Sequence, residues 1–170
     1  DPGAKVKQEA YLRALSSIDN LRVHYGKFAT RKVWGKLHHP PRFRPDEITL
    51  SKPWPEAVRV IRSEEKGSDV NLGVQLVSDA FEDRYDVAAI ITNDTDLEGA
   101  IRVVKERAGK PVVLLSPVAQ PHRTLRDASS SVKIIRRSHL ADSQFPDEVK
   151  LADGSTAKRP QTWVEADLEG

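Results

Sequence analysis

The chain has 170 residues, 38% of them hydrophobic and 31% charged, which predicts a globular domain with its own core. It contains no cysteine, so disulfides and thiolate metal sites are excluded, and it has no apolar run of membrane-spanning length. We therefore expect a cytoplasmic protein without a membrane partner. Methionine is absent even at position 1, so we also expect the chain to be part of a longer translation product.

The net charge of +2 is unevenly divided along the chain. Residues 1–62 hold 13 Lys/Arg against 6 Asp/Glu, whereas residues 63–170 hold 14 against 19. A basic part beside an acidic part suits a polyanion substrate and a metal-binding cluster of acids. The same distribution also fits an ordinary mixed surface, so charge alone does not choose between the two.

Predicted strands and helices alternate along the chain. Asp1 and Pro2 have the pattern of a helix start, and this first helix should end near Ser17. Periodicity predicts strands at 21–28, 56–63, 86–92, 111–117 and 132–137, and helices at 68–84, 95–108 and 123–129. The proline-rich residues 36–55 predict an extended loop or edge ribbon, and residues 152–155 a turn. This order predicts an α/β fold with a mostly parallel, doubly wound sheet.

Two polar motifs are predicted to open helices. Gly67 permits a sharp turn, and Ser68 after it is a good N-cap for the helix to about Arg84. Thr95 with Glu98 three residues later has the pattern of a capping box. Both predicted helix starts carry acidic side chains.

These acids follow two predicted strands. Glu64, Glu65 and Asp69 come after the strand at 56–63, and Asp94 and Asp96 come after the strand at 86–92. Ligands of such sheets bind at the carboxyl ends of the strands, so the acids should converge if the two strands are neighbours. Clustered carboxylates remain ionised when a cation compensates them, and Mg²⁺ held in this way supports phosphodiester hydrolysis.

A simpler interpretation of the same residues is structural. Asp69 and Asp96 lie in predicted first helical turns, where a carboxylate stabilises the helix dipole by roughly 0.3–1 kcal/mol. Spacing alone leaves the metal site and the helix cap both open.

Three segments resemble the NYN domain family, the LabA-like members of the PIN-like nuclease superfamily. They are "EEKGSDVNLGVQLVSDAF", "YDVAAIITNDTDLEGAIRVVKE" and "KPVVLLSP". The upstream "AYLRAL" and "VHYGKF" and the later "SHLADSQFPDEV" and "DGSTAKRPQTW" are similar to a bacterial branch of the family. The resemblance therefore covers nearly the whole chain.

The resemblance implies a PIN-like three-layer α/β/α fold with a mostly parallel central sheet, and a metal-dependent ribonuclease that uses Mg²⁺ or Mn²⁺. It places Asp69 on the acid of the K-G-x-D motif, and Asp94 and Asp96 on the acids of the S/N-D-x-D motif. These three acids are thereby the expected catalytic and metal-binding residues. Glu65, the acid before Lys66, is expected as a further metal ligand.

The chain departs from the family pattern at its start. The family opens with a strand that carries a further aspartate in a D-G-x-N pattern, and "DPGAKVKQEAYL" has no such motif. We therefore expect residues 1–145 to form an NYN domain that lacks this strand, followed by an extended tail at 146–170. An incomplete site of this kind predicts weak metal binding or inactivity, which keeps a non-catalytic RNA-binding or scaffold module as the alternative. A homo-oligomer is compatible with the sequence.

The segment 21–45 is basic and contains no acid. Aromatic residues are interleaved with its cations, a composition that suits single-stranded RNA, although the rings could equally pack on the core. Trp34 is the preferred stacking candidate, whereas Tyr25 and Phe28 are expected to be core residues. The predicted RNA-contacting residues are Lys27, Arg31, Lys32, Trp34, Lys36, Arg42, Arg44, Lys66 and Arg123.

Overall fold

The computed structural model of the chain describes residues 3–38, 53–161 and 163. Its helices are α1 (Ala4–Leu15), α2 (Ser68–Phe81), α3 (Glu98–Glu106), α4 (Arg123–Ala128) and α5 (Arg137–Asp142). Its strands are β1 (Lys27–Lys36), β2 (Ala57–Lys66), β3 (Ala88–Ile91), β4 (Val112–Ser116), β5 (Ser131–Ile134), β6 (Glu148–Lys150) and β7 (Thr156–Lys158). A 3₁₀ turn at Thr95–Leu97 leads directly into α3.

The central sheet is parallel, with β3, β4 and β5 side by side in chain order. Alternate strand residues such as Ile90 and Leu114 face the helices α2, α3 and α4, and they form the core with Ile101 and Leu125. The strands β3 and β4 are short apolar runs whose buried residues alternate with more exposed ones on the other face of the sheet. The predicted α/β fold with a parallel sheet is confirmed.

The second face of the sheet carries α1, α5 and the β6–β7 hairpin. A cavity of about 710 Å³ lies between them and the sheet, with Tyr11, Leu115 and Leu140 among its lining residues. The rings of Tyr11 and Phe145 meet edge to face at 6.3 Å, and the Arg13 guanidinium donates to the Ser155 hydroxyl at 3.2 Å. Residues 146–170, which were expected to form an extended tail, thus include the β6–β7 hairpin, which packs on α1. With helices on both faces, the sheet has the PIN-like layered arrangement.

β1 and β2 pair antiparallel as a separate two-stranded ribbon, with Lys27 opposite Lys66 and Lys36 opposite Ala57. The prediction that the strand at 56–63 belongs to the parallel sheet is therefore wrong for the part of the chain that the structure describes. The predicted strand at 21–28 is also misplaced, since regular structure begins at Lys27. Alternating polar and apolar residues indicate an extended segment but do not specify which strand it pairs with.

Both predicted helix starts are shifted by one residue. Gly67, with φ of +98°, is the N-cap of α2, and Ser68 is its first helical residue. Asp94 rather than Thr95 caps the second start, because its carboxylate accepts from a backbone N–H of the following turn. The helix α5 was not predicted, and the last predicted strand ends earlier, at Ile134. The expected start at Asp1 and Pro2, and residues 39–52 of the expected loop, lie outside the described residues.

One edge of the parallel sheet is apolar and exposed. Within the described residues β3 pairs only with β4, and the Ile91 side chain at its end is 61% exposed. Val70 and Val74 of α2 are exposed as well. None of the helices described here combines the length and apolar character needed to cross a bilayer.

Candidate functional site

The acidic loop after β3 is held by three hydrogen bonds. The Asp94 backbone N–H donates to the Thr92 hydroxyl at 3.0 Å, and the Asp94 Oδ1 accepts from the Asp96 N–H at 3.0 Å. The Asn93 side-chain oxygen accepts from the backbone N–H of His122, which precedes α4, at 3.3 Å. The loop is therefore held both to its own turn and to the next βα connection. The sequence indicates that Asn93 could shape this loop, but it does not identify His122 as the hydrogen-bond partner.

Asp69 approaches this loop because α2 packs closely on the start of α3. Gly73 lies at this contact, where a Cβ would be in ordinary van der Waals contact with Leu97 at 3.5 Å and Ala100 at 3.6 Å. Asp69 and Asp96 consequently line one cleft of about 630 Å³ between the two helices. Helix packing, and not neighbouring strand ends, brings these two acids together.

Glu64 is held on the ribbon. Its carboxylate forms ion pairs with Arg31 at 2.9 Å, Arg62 at 2.8 Å and Lys66 at 3.9 Å. Its side chain is therefore engaged by cations of the ribbon, and it is not among the residues that line the cleft. The expected convergence of all five acids does not occur in the structure.

Glu65 is held at the start of α2. One of its oxygens accepts from the Ser68 backbone N–H at 3.3 Å, and the other accepts from the Ser68 hydroxyl at 2.6 Å. The carboxylate also lies against Gly26, where a side chain of any size would collide with it. Glu65 therefore caps the helix that carries Asp69.

The donor set of the cleft fits a hydrated divalent cation. Asp69 and Asp96 offer carboxylate oxygens, the donors that hard cations prefer, and Mg²⁺ commonly takes one or two carboxylates with waters completing its shell. Asp94 uses only Oδ1 for its cap. In the described ranges no group of three or more His, Cys, Asp or Glu side chains is placed to enclose a metal. The residues therefore suit an open site and not an all-protein cage.

The predicted RNA-contacting residues fall into separate groups. Lys27, Arg31, Lys32, Trp34, Lys36 and Lys66 lie on the ribbon. Arg42 and Arg44 lie outside the described residues. Arg123 begins α4 and forms an ion pair with Asp127 at 3.4 Å. The ribbon also places Arg59 opposite Trp34. Arg59 was not among the predicted RNA-contacting residues, although the alternating pattern of "VRVIR" indicates a strand that carries this cation.

A parallel sheet between helical layers, with acids after its first strand, defines a PIN-like α/β domain. The family model of the NYN domain matches residues 15–135, and the chain belongs to this family. NYN domains are part of the PIN-like nuclease superfamily, which indicates a nuclease-like, RNA-related function.

Two further proteins are similar to the chain. The "6-hydroxy-3-succinoylpyridine 3-monooxygenase HspA" of Pseudomonas putida (strain DSM 28022 / S16) is 28% identical over 142 residues. The match covers 81% of this chain and 43% of that protein, so the chain spans less than half of the relative's length. The crystal structure of a protein of unknown function, VPA0982 from Vibrio parahaemolyticus RIMD 2210633, matches with 18% identity and a TM-score of 0.38. It covers 42% of this chain and 43% of that one.

Proposed function

We propose that the chain is the NYN domain of a metal-dependent ribonuclease that acts on RNA in the cytoplasm. The observation that carries the proposal is the shared cleft of Asp69 and Asp96, which stands beside the turn capped by Asp94. Two acids that are distant in sequence line one solvent-accessible cleft in a domain of a nuclease superfamily. A helix-dipole role alone does not require the two acids to line one cleft.

Each acid has a separate task in this proposal. Asp69 and Asp96 would hold Mg²⁺ or Mn²⁺, and Asp94 orients Asp96 through its hydrogen bond to the Asp96 N–H and offers its remaining oxygen. A divalent ion in such a site supplies an activated water and stabilises charge during in-line phosphoryl displacement. Glu65 acts indirectly, because its bonds to Ser68 fix the helical turn that carries Asp69.

Cleavage of single-stranded RNA in Mg²⁺ or Mn²⁺ tests the proposal. Asp69→Asn and Asp96→Asn should each lower the rate by at least about 100-fold, because charge stabilisation worth several kcal/mol is lost. The matched control is Asp86→Asn, an exposed aspartate before the other end of β3, which should retain parental activity. Equal cleavage by the parent and both cleft variants would contradict the assignment.

A second candidate function is an RNA-binding module without catalysis. It is favoured by the finding that no three metal-ligating side chains are grouped in the described parts of the chain. RNA binding that weakens with salt, with no cleavage by the parent in either metal, would support it. The monooxygenase activity named for the Pseudomonas relative is not carried over, since the match covers 43% of that protein at 28% identity.

A further inference from the structure

The pairing of β1 with β2 divides the ribbon into two chemically different faces. Directly opposed residues of an antiparallel pair share a face, and alternate residues along each strand do so too. One face, here called the platform face, carries Phe28, Lys32, Trp34, Lys36, Arg59 and Ile61. The opposite face, here called the ion-pair face, carries Arg31, Arg62, Glu64 and Lys66.

Three of the four cations on the ion-pair face, which also carries Lys27, have a carboxylate partner. Glu64 is bonded to Arg31 and Arg62 at 2.9 and 2.8 Å, and Lys66 lies 3.9 Å from the same carboxylate. A phosphate that approached these side chains would have to compete with Glu64. Arg31 and Lys66 are therefore weaker RNA ligands than their charge suggests.

The platform face has the opposite character. Its large apolar side chains face solvent, with Phe28 74%, Trp34 72% and Ile61 71% exposed, so the expectation that Phe28 packs in the core is wrong. Thr30 and Ser63 separate Phe28 from Ile61 and Trp34, and large exposed apolar side chains of this kind often mark a binding surface. Lys32, Lys36 and Arg59 form no ion pair among the described residues, and the described carboxylate on this face, that of Glu65, is bonded to Ser68 at the start of α2. The hydroxyls of Thr30 and Ser63, bonded to each other at 2.7 Å, lie between the two rings on the same face.

We propose that the platform face binds single-stranded RNA, with bases stacked on Phe28 and Trp34 and phosphates held by Lys32, Lys36 and Arg59. This inference rests on the proposed function and specifies its substrate as unpaired RNA. Exposed rings interleaved with cations are the combination that recognises unstacked bases on a polyanionic backbone. A protein partner would need an acidic side chain opposite each of the three cations, whereas every nucleotide of RNA brings its own phosphate.

The ribbon also directs such a strand towards the acids. Phe28 lies opposite Glu65, and β2 continues through Gly67 into the helix that begins with Ser68 and Asp69. Trp34 lies six positions further along β1, a separation of about 20 Å in a β-strand. RNA stacked on both rings would run along the ribbon, with the Phe28 end nearer the cleft.

RNA binding in the presence of EDTA tests the proposal independently of cleavage. Fluorescence anisotropy would compare a labelled single strand of about 12 nucleotides with the duplex of the same sequence. Phe28→Ala and Trp34→Ala should each weaken single-strand binding by about 5-fold to about 150-fold, the range for loss of one base stack. Val60→Ala, an apolar truncation on the ion-pair face, should change it by less than about 2-fold and is the matched control.

Salt dependence tests the phosphate contacts. Replacement of Lys32, Lys36 and Arg59 by glutamine should reduce the slope of log K against log salt by about 2, since single strands contribute about 0.7 per contact. Arg31→Gln with Lys66→Gln should reduce the slope less. Circular dichroism of each variant confirms that the ribbon substitutions leave the fold intact.

Three results would overturn the proposal. They are unchanged affinity of both aromatic variants, duplex binding as tight as single-strand binding, and self-association that Trp34→Ala abolishes while RNA binding persists. The binding assay contains EDTA, which suppresses metal-dependent cleavage. Its results therefore do not depend on whether the ribonuclease assignment is correct. Cleavage that depends on Asp69 and Asp96, together with unchanged RNA affinity of Phe28→Ala and Trp34→Ala, would contradict the platform and leave the ribonuclease assignment standing.

Discussion

The carboxylate of Asp94 accepts a hydrogen bond from the backbone N–H of Asp96 at 3.0 Å, so the first acid of the pair caps the turn that carries the second. The helix-capping turn is therefore also part of the candidate site. Asp94 contributes to folding whether or not a metal binds, and a loss of activity on its substitution needs a separate measure of stability.

Two substitutions of Asp94 separate these roles. Asp94→Ala should lower the free energy of unfolding by about 1 kcal/mol, within the range of about 0.5–2 kcal/mol for loss of an N-cap. Asp94→Asn should remain near the parental stability because asparagine caps as well as aspartate, yet it should still lose metal-dependent cleavage. Urea denaturation measures the first effect and an RNA cleavage assay the second. If Asp94→Asn and Asp94→Ala lowered the free energy of unfolding equally, the capping role of Asp94 would be contradicted.

The parallel sheet could be predicted because its determinants are local. The strands β3 and β4 are short apolar runs bounded by turn and cap residues, and the chain order then leaves few topologies. The pairing of β1 with β2 could not be predicted, because alternation specifies an extended segment without its partner. The geometry of the candidate site could be predicted only in part for the same reason. Asp94 and Asp96 follow a recognisable strand, but the position of Asp69 depends on the packing of α2 against the start of α3, which is not a local property of the sequence.

The junction between the ribbon and α2 depends on the backbone of Gly67. Its φ of +98° is disfavoured for residues with a side chain, although a Cβ there would meet no atom within 4 Å. Gly67→Ala should therefore destabilise the domain by about 1–2 kcal/mol through conformational strain alone.

Gly99→Ala is the matched control for this substitution. Gly99 lies in α3, has no neighbour within 4 Å of an added Cβ and has no left-handed φ, so alanine should stabilise the helix by about 0.5–1 kcal/mol. Thermal unfolding of both variants should thus shift in opposite directions. A shift of the same sign and size in both would show that strain at Gly67 is unimportant.

Tyr85 connects the segment after α2 to the helix itself. Its hydroxyl donates to the Leu76 carbonyl at 2.7 Å, and burial, with a smaller effect from the Asp79 carboxylate, raises the pKa of the phenol above its ordinary value. At neutral pH Tyr85→Phe should lower the free energy of unfolding by about 0.5–1.5 kcal/mol, the usual contribution of one hydrogen bond.

The raised pKa of Tyr85 also gives this difference a pH dependence. The folded state favours the neutral phenol, so its contribution is fully present below the unfolded pKa of about 10 and is lost as pH rises through the folded pKa. The stability gap between parent and Tyr85→Phe should be constant near neutrality and narrow above about pH 10. Urea denaturation across that range measures the gap. A gap that stayed constant or widened under alkaline conditions would contradict the assignment, because the phenol would then ionise as readily in the folded as in the unfolded chain, or more so.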